Sequence, residues 1–309
     1  MSGRDSFEPY PEACFASMRG KQIPCAQPAP RQNRLLAALP LQDYERLLPD
    51  LEPVPLPLGW TVHSAGEREN YVYFLAAGIV ARFYVMEDGS SARLAVTGSE
   101  GVIGMASFLG GESTPSEAVV LSAGHAYRLR AGVLKNDFAH DGPLLHLLLR
   151  YTMALIAQTA QIAVCNRHHS LEQQLCRWLL LSLDRTRGNE LSMTQELIAS
   201  MLGVRREGVT EAAGKLQRAG LIHYSRGHIA VLDRPALEAH ACECYAVVKR
   251  EYDRLLPSEN TVGNADARAT RADDTCSISQ SRSRRPAVIS VARIPATEPH
   301  LPVYESAFH

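Results

Sequence analysis

Residues 193–232 read MTQELIASMLGVRREGVTEAAGKLQRAGLIHYSRGHIAVL. The first part predicts a helix, because Leu197, Ile198, Met201 and Leu202 recur at helical spacing. Either Ser192 with Gln195, or Thr194 alone, supplies the capping chemistry at its start. Gly203 ends it, since glycine tolerates the left-handed backbone of a helix C-terminus. Val204 is apolar and can plug the turn. A second helix is expected from about Arg205 to Ala219, with Val209, Ala212, Ala213 and Leu216 inward and Gly220 closing it. Two helices joined by a short glycine turn predict a helix-turn-helix. Leu221–Tyr224 and His228–Leu232 are strand-like, and Ser225-Arg226-Gly227 forms the turn between them. That hairpin is the expected wing.

A winged helix-turn-helix implies contact with double-stranded DNA. The N-terminal residues of the second helix should meet base edges in the major groove. These are Arg205, Arg206, Glu207, Gly208 and Thr210, with Glu211 one position deeper. Arginine pairs with guanine through two hydrogen bonds, and glutamate accepts from cytosine N4. Thr194 and the wing-tip Arg226 complete the expected contact set, Arg226 against backbone phosphate. The chain's net charge of −1 lends no support. Between Arg205 and Arg234, however, Arg205, Arg206, Lys215, Arg218, Arg226 and Arg234 outnumber Glu207, Glu211 and Asp233, and phosphate contact depends on local charge.

Upstream, the pattern changes. Leu144, Leu148, Tyr151, Leu155, Gln158, Ile162 and Cys165 are spaced 4-3-4-3-4-3, a heptad seam on a long helix beginning near Pro143. The seam fits a dimer interface, with Gln158 fixing register, or a helix packed on its own domain. From Val54 to about Phe138, β-branched and aromatic runs alternate with glycine turns, including Ala76-Ala77-Gly78 and Asp88-Gly89. This predicts an antiparallel β-barrel or jelly-roll. Two short helices flank Pro40. The expected layout is therefore α+β. Residues 1–31 form a disordered arm, 32–140 a β domain, 141–168 a dimerisation helix, 169–256 the winged domain and 257–309 a disordered tail.

No apolar run reaches the ~20 residues of a bilayer span, and no signal-peptide pattern opens the chain, so a cytoplasmic protein is expected. Seven cysteines, an odd number, argue against a disulfide framework. Cys165 and Cys176 read as core residues. Cys242-Glu243-Cys244 is too close-set for a C-x2-C metal pair, so no metal and no cofactor is expected. Neither G-x-S-x-G nor a P-loop appears, which speaks against an enzyme.

The order of parts resembles the Crp/Fnr family of bacterial transcription regulators over roughly residues 33–250. The most specific residues are Gly203-Val204-Arg205-Arg206-Glu207-Gly208-Val209 and Leu216-Gln217-Arg218-Ala219-Gly220-Leu221-Ile222. The resemblance implies a homodimer on palindromic DNA, with Arg206 and Glu207 reading a G·C pair and RNA polymerase as a further partner. Glu211 stands where the family carries another base-reading arginine, which changes the expected half-site. The β domain resembles a cyclic nucleotide-binding barrel whose phosphate-binding cassette corresponds to Gly98–Gly124. Where that cassette has Gly-Glu, this chain has Gly104-Met105, and its arginine position falls near Ser116. A buried phosphate needs neutralising charge, so no cyclic AMP response is expected. The alternative is a scaffold whose winged helix no longer binds DNA.

Overall fold

The computed structural model describes residues 29–86, 91–138, 142–186 and 188–256. The expected arm up to residue 28, the Asp88-Gly89 turn and the expected tail from 257 lie outside the described residues.

After a 3-10 turn at Pro30–Gln32, helix α1 (Arg34–Ala37) starts where the Asn33 side chain accepts from the backbone N–H groups of Leu35 and Leu36. Helix α2 (Leu41–Leu47) follows Pro40. The strands are β1 (Glu52–Leu56), β2 (Thr61–His63), β3 (Tyr71–Val85), β4 (Ser91–Thr97), β5 (Val102–Ile103) and β6 (Glu117–Arg130). They form one antiparallel sheet in the order β1-β6-β3-β4, with β2 also on β6 and β5 also on β3, a jelly-roll arrangement. The short α3 (Ala106–Leu109) lies between β5 and β6, and α4 (Ala131–Phe138) follows.

The glycine of Ala76-Ala77-Gly78 does not divide strands as the sequence suggests, and Gly124 also lies inside a strand. β3 and β6 run through them as single long strands, and the register shifts at Ala77. Gly78 has φ +92°, and a Cβ built on Gly124 would lie 2.0 Å from the Ala77 carbonyl oxygen. Two backbones meet there, so neither position has room for a side chain. The bulge also flips the alternation of β3. Leu75 before it and Val80 after it share one cluster with Leu56, Ile103, Val120 and Ala126. Phe74 and Ile79 face the other way, into the larger core.

Helix α5 (Pro143–His168) crosses that second face. Its seam residues Leu144, Leu148, Tyr151, Leu155, Gln158, Ile162 and Cys165 are all buried within this one chain. The assignment of this seam to a dimer interface is therefore corrected. Periodicity marks a buried face, and here the chain's own β domain and last helix cover it. Tyr151 Oη is 3.0 Å from Thr97 Oγ1, and Gln158 Nε2 donates to the Val96 carbonyl at 3.3 Å. Gln158 thus serves the chain's own backbone rather than a register between subunits. By length and composition α5 could cross a membrane, but in this fold one of its faces is buried against the chain's own core.

Helix α6 (Leu171–Leu183) begins at a complete capping box, Ser170 with Gln173. There follow β7 (Glu190–Ser192), α7 (Gln195–Leu202), α8 (Arg206–Arg218), β8 (Ile222–Ser225), β9 (His228–Val231), α9 (Arg234–His240) and α10 (Glu243–Leu255). β7 was not expected: it pairs with β9, making the wing a three-stranded sheet in the order β7-β9-β8. α10 turns back to pack on α5 and α6. Trp178, Leu179, Ile198, Val209 and Leu216 continue the core from the β domain into the winged domain.

Candidate nucleic-acid interface

Thr194, not Ser192, caps α7: its hydroxyl accepts from the Leu197 N–H at 3.2 Å. Ser192 lies in β7 and meets His228 Nδ1 at 2.9 Å. Gly203 adopts φ +66° and closes α7. Val204 N donates to the Ala199 carbonyl at 3.0 Å, fixing the turn. Arg205 is the N-cap of α8, so Arg206 and Glu207 form its first turn.

Arg205, Arg206, Glu207, Thr210 and Glu211 are exposed, and Gly208 is half-buried against α6. Arg205, Arg206 and Glu207 have no ion-pair partner among the described residues. Their charges project beyond a helix whose other face, Val209, Ala212, Ala213 and Leu216, is in the core. Thr210 is less free than the sequence implies, because its hydroxyl meets Gln195 Oε1 at 2.8 Å and ties α8 to α7. Glu211 Oε1 pairs with Lys215 Nζ at 2.9 Å. That hydrogen bond holds the Glu211 carboxyl below its usual range and raises Lys215. A base contact by Glu211 would have to compete with this lysine.

The wing is fastened to the recognition helix. Gln217 Oε1 on α8 accepts from Tyr224 N at 2.8 Å, and Tyr224 Oη donates to the Met193 carbonyl at 3.0 Å. At the tip, Arg226 has φ +48° and Gly227 φ +82°. Two successive left-handed residues are the requirement of the tight primed hairpin turn. Arg226 thus holds a conformation that asparagine or glycine adopts more easily, with its guanidinium exposed at the tip.

In the cassette region the chain's own Glu69 engages the backbone N–H groups. Glu69 Oε2 accepts from Ala106 N at 2.6 Å and Ser107 N at 3.3 Å, occupying the N–H groups that open α3. Its other oxygen is 3.3 Å from His63 Nε2. Burial lowers the His63 imidazole below its ordinary value, more than the Glu69 charge raises it. Met105 stands beside Arg82, whose Nη2 donates to the Val102 carbonyl at 3.1 Å. A scan of the cassette segment alone misses this arginine, because β3 delivers it from outside.

The profile of the cyclic nucleotide-binding domain matches residues 53–141, and that of the Crp-like helix-turn-helix domain matches residues 173–240. The chain belongs to the Crp/Fnr family. Solved structures of similar fold include FixK2 from Bradyrhizobium japonicum, at 18% identity and a TM-score of 0.53, covering 62% of this chain and 98% of that one. A CRP-family transcriptional regulator from Thermus thermophilus gives 22% and 0.52, covering 61% and 96%. The c-di-GMP responsive global regulator CLP of Xanthomonas campestris gives 17% and 0.52, covering 63% and 100%. No curated protein matches significantly. This Crp/Fnr chain is a transcription regulator with a helix-turn-helix DNA-binding domain.

Proposed function

We propose that this regulator binds a specific palindromic DNA site as a homodimer, without cyclic AMP. The observation that carries the reading is the first turn of α8. Arg206 and Glu207 are exposed side by side, held by a capped α7 and a braced wing. That placement suits base reading in the major groove, Arg206 toward guanine and Glu207 toward cytosine. Arg205, Thr210, Thr194 and Arg226 then serve as backbone or positioning contacts.

The dimer face is the outer side of α5. Leu149, Met153, Ile156 and Val164 are exposed there despite their size. A second copy of α5 would cover this stripe and set the spacing of two recognition helices to ~34 Å. Against cyclic AMP stand Met105 in place of the ribose carboxylate and Glu69 on the amides of α3. The protein works in the cytoplasm beside RNA polymerase and has no catalytic role.

The test is selection of bound sequences from random duplex DNA. A palindromic motif is expected, and Arg206→Ala should cost ~1–3 kcal/mol and relax one base position in each half. If no sequence is enriched, the scaffold reading replaces this one. Micromolar cyclic AMP affinity by calorimetry would overturn the reading of the β domain.

A further inference from the structure

The last turn of α5 and the start of α10 bring four metal-binding side chains together. Cys165 and His169 are four residues apart and share one face of a helix end. Cys242 is the N-cap of α10, and Cys244 lies in its first turn. One donor atom from each of the four lies within 4.8 Å of every other. Cys165 Sγ and Cys242 Sγ are 3.5 Å apart, and Cys244 Sγ and His169 Nδ1 are 3.4 Å apart. The three cysteines form a small cluster of their own, separate from the main core, and are at most 5% exposed.

We propose that Cys165, His169, Cys242 and Cys244 bind one structural zinc ion. Zinc–sulfur bonds of ~2.3 Å at tetrahedral angles place neighbouring ligand atoms ~3.8 Å apart. The two closest separations, 3.4 and 3.5 Å, lie near that edge, and all four donor atoms fall within 4.8 Å of one another. A disulfide explains the geometry less well: the Cys165 and Cys242 sulfurs are far beyond the ~2.05 Å bond, and it would leave Cys244 and His169 unexplained. Three thiolates and an imidazole match zinc in a closed site with no open position for catalysis.

The surroundings carry the features that tune such ligands. Gln161 Nε2 donates to Cys244 Sγ at 3.1 Å, and His169 Nε2 is 3.4 Å from Glu243 Oε2. The carboxylate orients the imidazole so that Nδ1 faces the sulfurs. Zinc held here joins the end of α5, at the hinge into α6, to the last helix of the winged domain. It would fix the angle at which the winged domain leaves α5.

The experiment is elemental analysis of the full-length protein, purified without chelator and without added metal. About one zinc per chain is expected, falling to background in Cys242→Ser/Cys244→Ser and reduced in His169→Ala. Cobalt in place of zinc should give the strong visible bands of a tetrahedral thiolate site, and these do not depend on a variant folding. Chelation of the wild type should lower its thermal midpoint, with no such effect in the double variant. Zinc well below one per chain with no uptake of cobalt would overturn the site. So would full zinc content in a folded double variant, or iron with an iron–sulfur spectrum.

Discussion

Arg185 Nε lies 2.7 Å from Glu100 Oε1, with both side chains buried. Arg185 follows α6 in the winged domain, and Glu100 sits in the β4–β5 loop of the β domain. Arg185 also donates to Gln158 Oε1 on α5 at 3.2 Å and lies 5.5 Å above the Tyr252 ring of α10. One guanidinium therefore links the two domains, the long helix and the last helix.

Breaking that pair should be costly. Glu100→Ala leaves Arg185 buried without its countercharge, which costs ~3–5 kcal/mol. Glu100→Gln with Arg185→Met should recover most of the loss, because no charge then stays buried. Urea unfolding of the three proteins measures this. A loss under ~1 kcal/mol in Glu100→Ala would show that water or an anion reaches the site. Glu211→Gln, by contrast, breaks an exposed pair and should leave the midpoint unchanged.

Arg226→Asn separates the charge of the wing tip from its shape. Asparagine tolerates left-handed backbone, so thermal stability should hold or rise. Losing one phosphate contact should weaken binding to all sequences alike and flatten the salt slope by about 1. An unchanged slope would remove Arg226 from the interface.

Ile156→Glu places a charge in the exposed stripe of α5, where Ile156 is 55% exposed. Light scattering should show monomer in the variant and dimer in the wild type, and binding to a palindrome should lose its cooperativity. Leu155→Glu instead strikes a buried position and should unfold the chain. If Ile156→Glu stays dimeric, α5 does not pair through this face.

Stability should fall with acid through His63. Its folded pKa lies below the ordinary value of about 6.5, because burial opposes the charged ring and Arg82 adds to the effect. The unfolded chain therefore takes up this proton first. The stabilisation is complete above about pH 6.5 and declines as pH drops below it. His63→Gln should flatten that part of the profile, read from urea midpoints at several pH values. An equal slope in both proteins would assign the acid sensitivity elsewhere.

The winged domain was legible because its signals are local. Caps, a glycine turn and short apolar periods all lie within a few residues of what they control. The seam of α5 shows where such reading stops: period 3.5 marks a buried face but does not say what buries it. The outer stripe of Leu149, Met153 and Ile156 is nearly as apolar, and only three-dimensional packing ranks the two. β3 reads as two pieces because Gly78 resembles a turn residue, whereas Gly78 and Gly124 sit inside paired strands. Their role, letting two strands meet, depends on a partner more than forty positions away. Arg82 near Met105 escaped for the same reason, as did the convergence of Cys165 with Cys242 across 77 positions.

Arg34 in α1 donates to the carbonyl of Leu256, at the end of α10, and also faces Asp253. The two extremities of the described fold are thus stitched together. Such a body can be re-cut without being rebuilt. A short bridge from beyond 256 to the start of α1, with new ends opened in an exposed loop, would alter chain order while preserving the packing. The same stitch means that a fusion at either extremity emerges beside α10, on the flank where the β and winged domains meet.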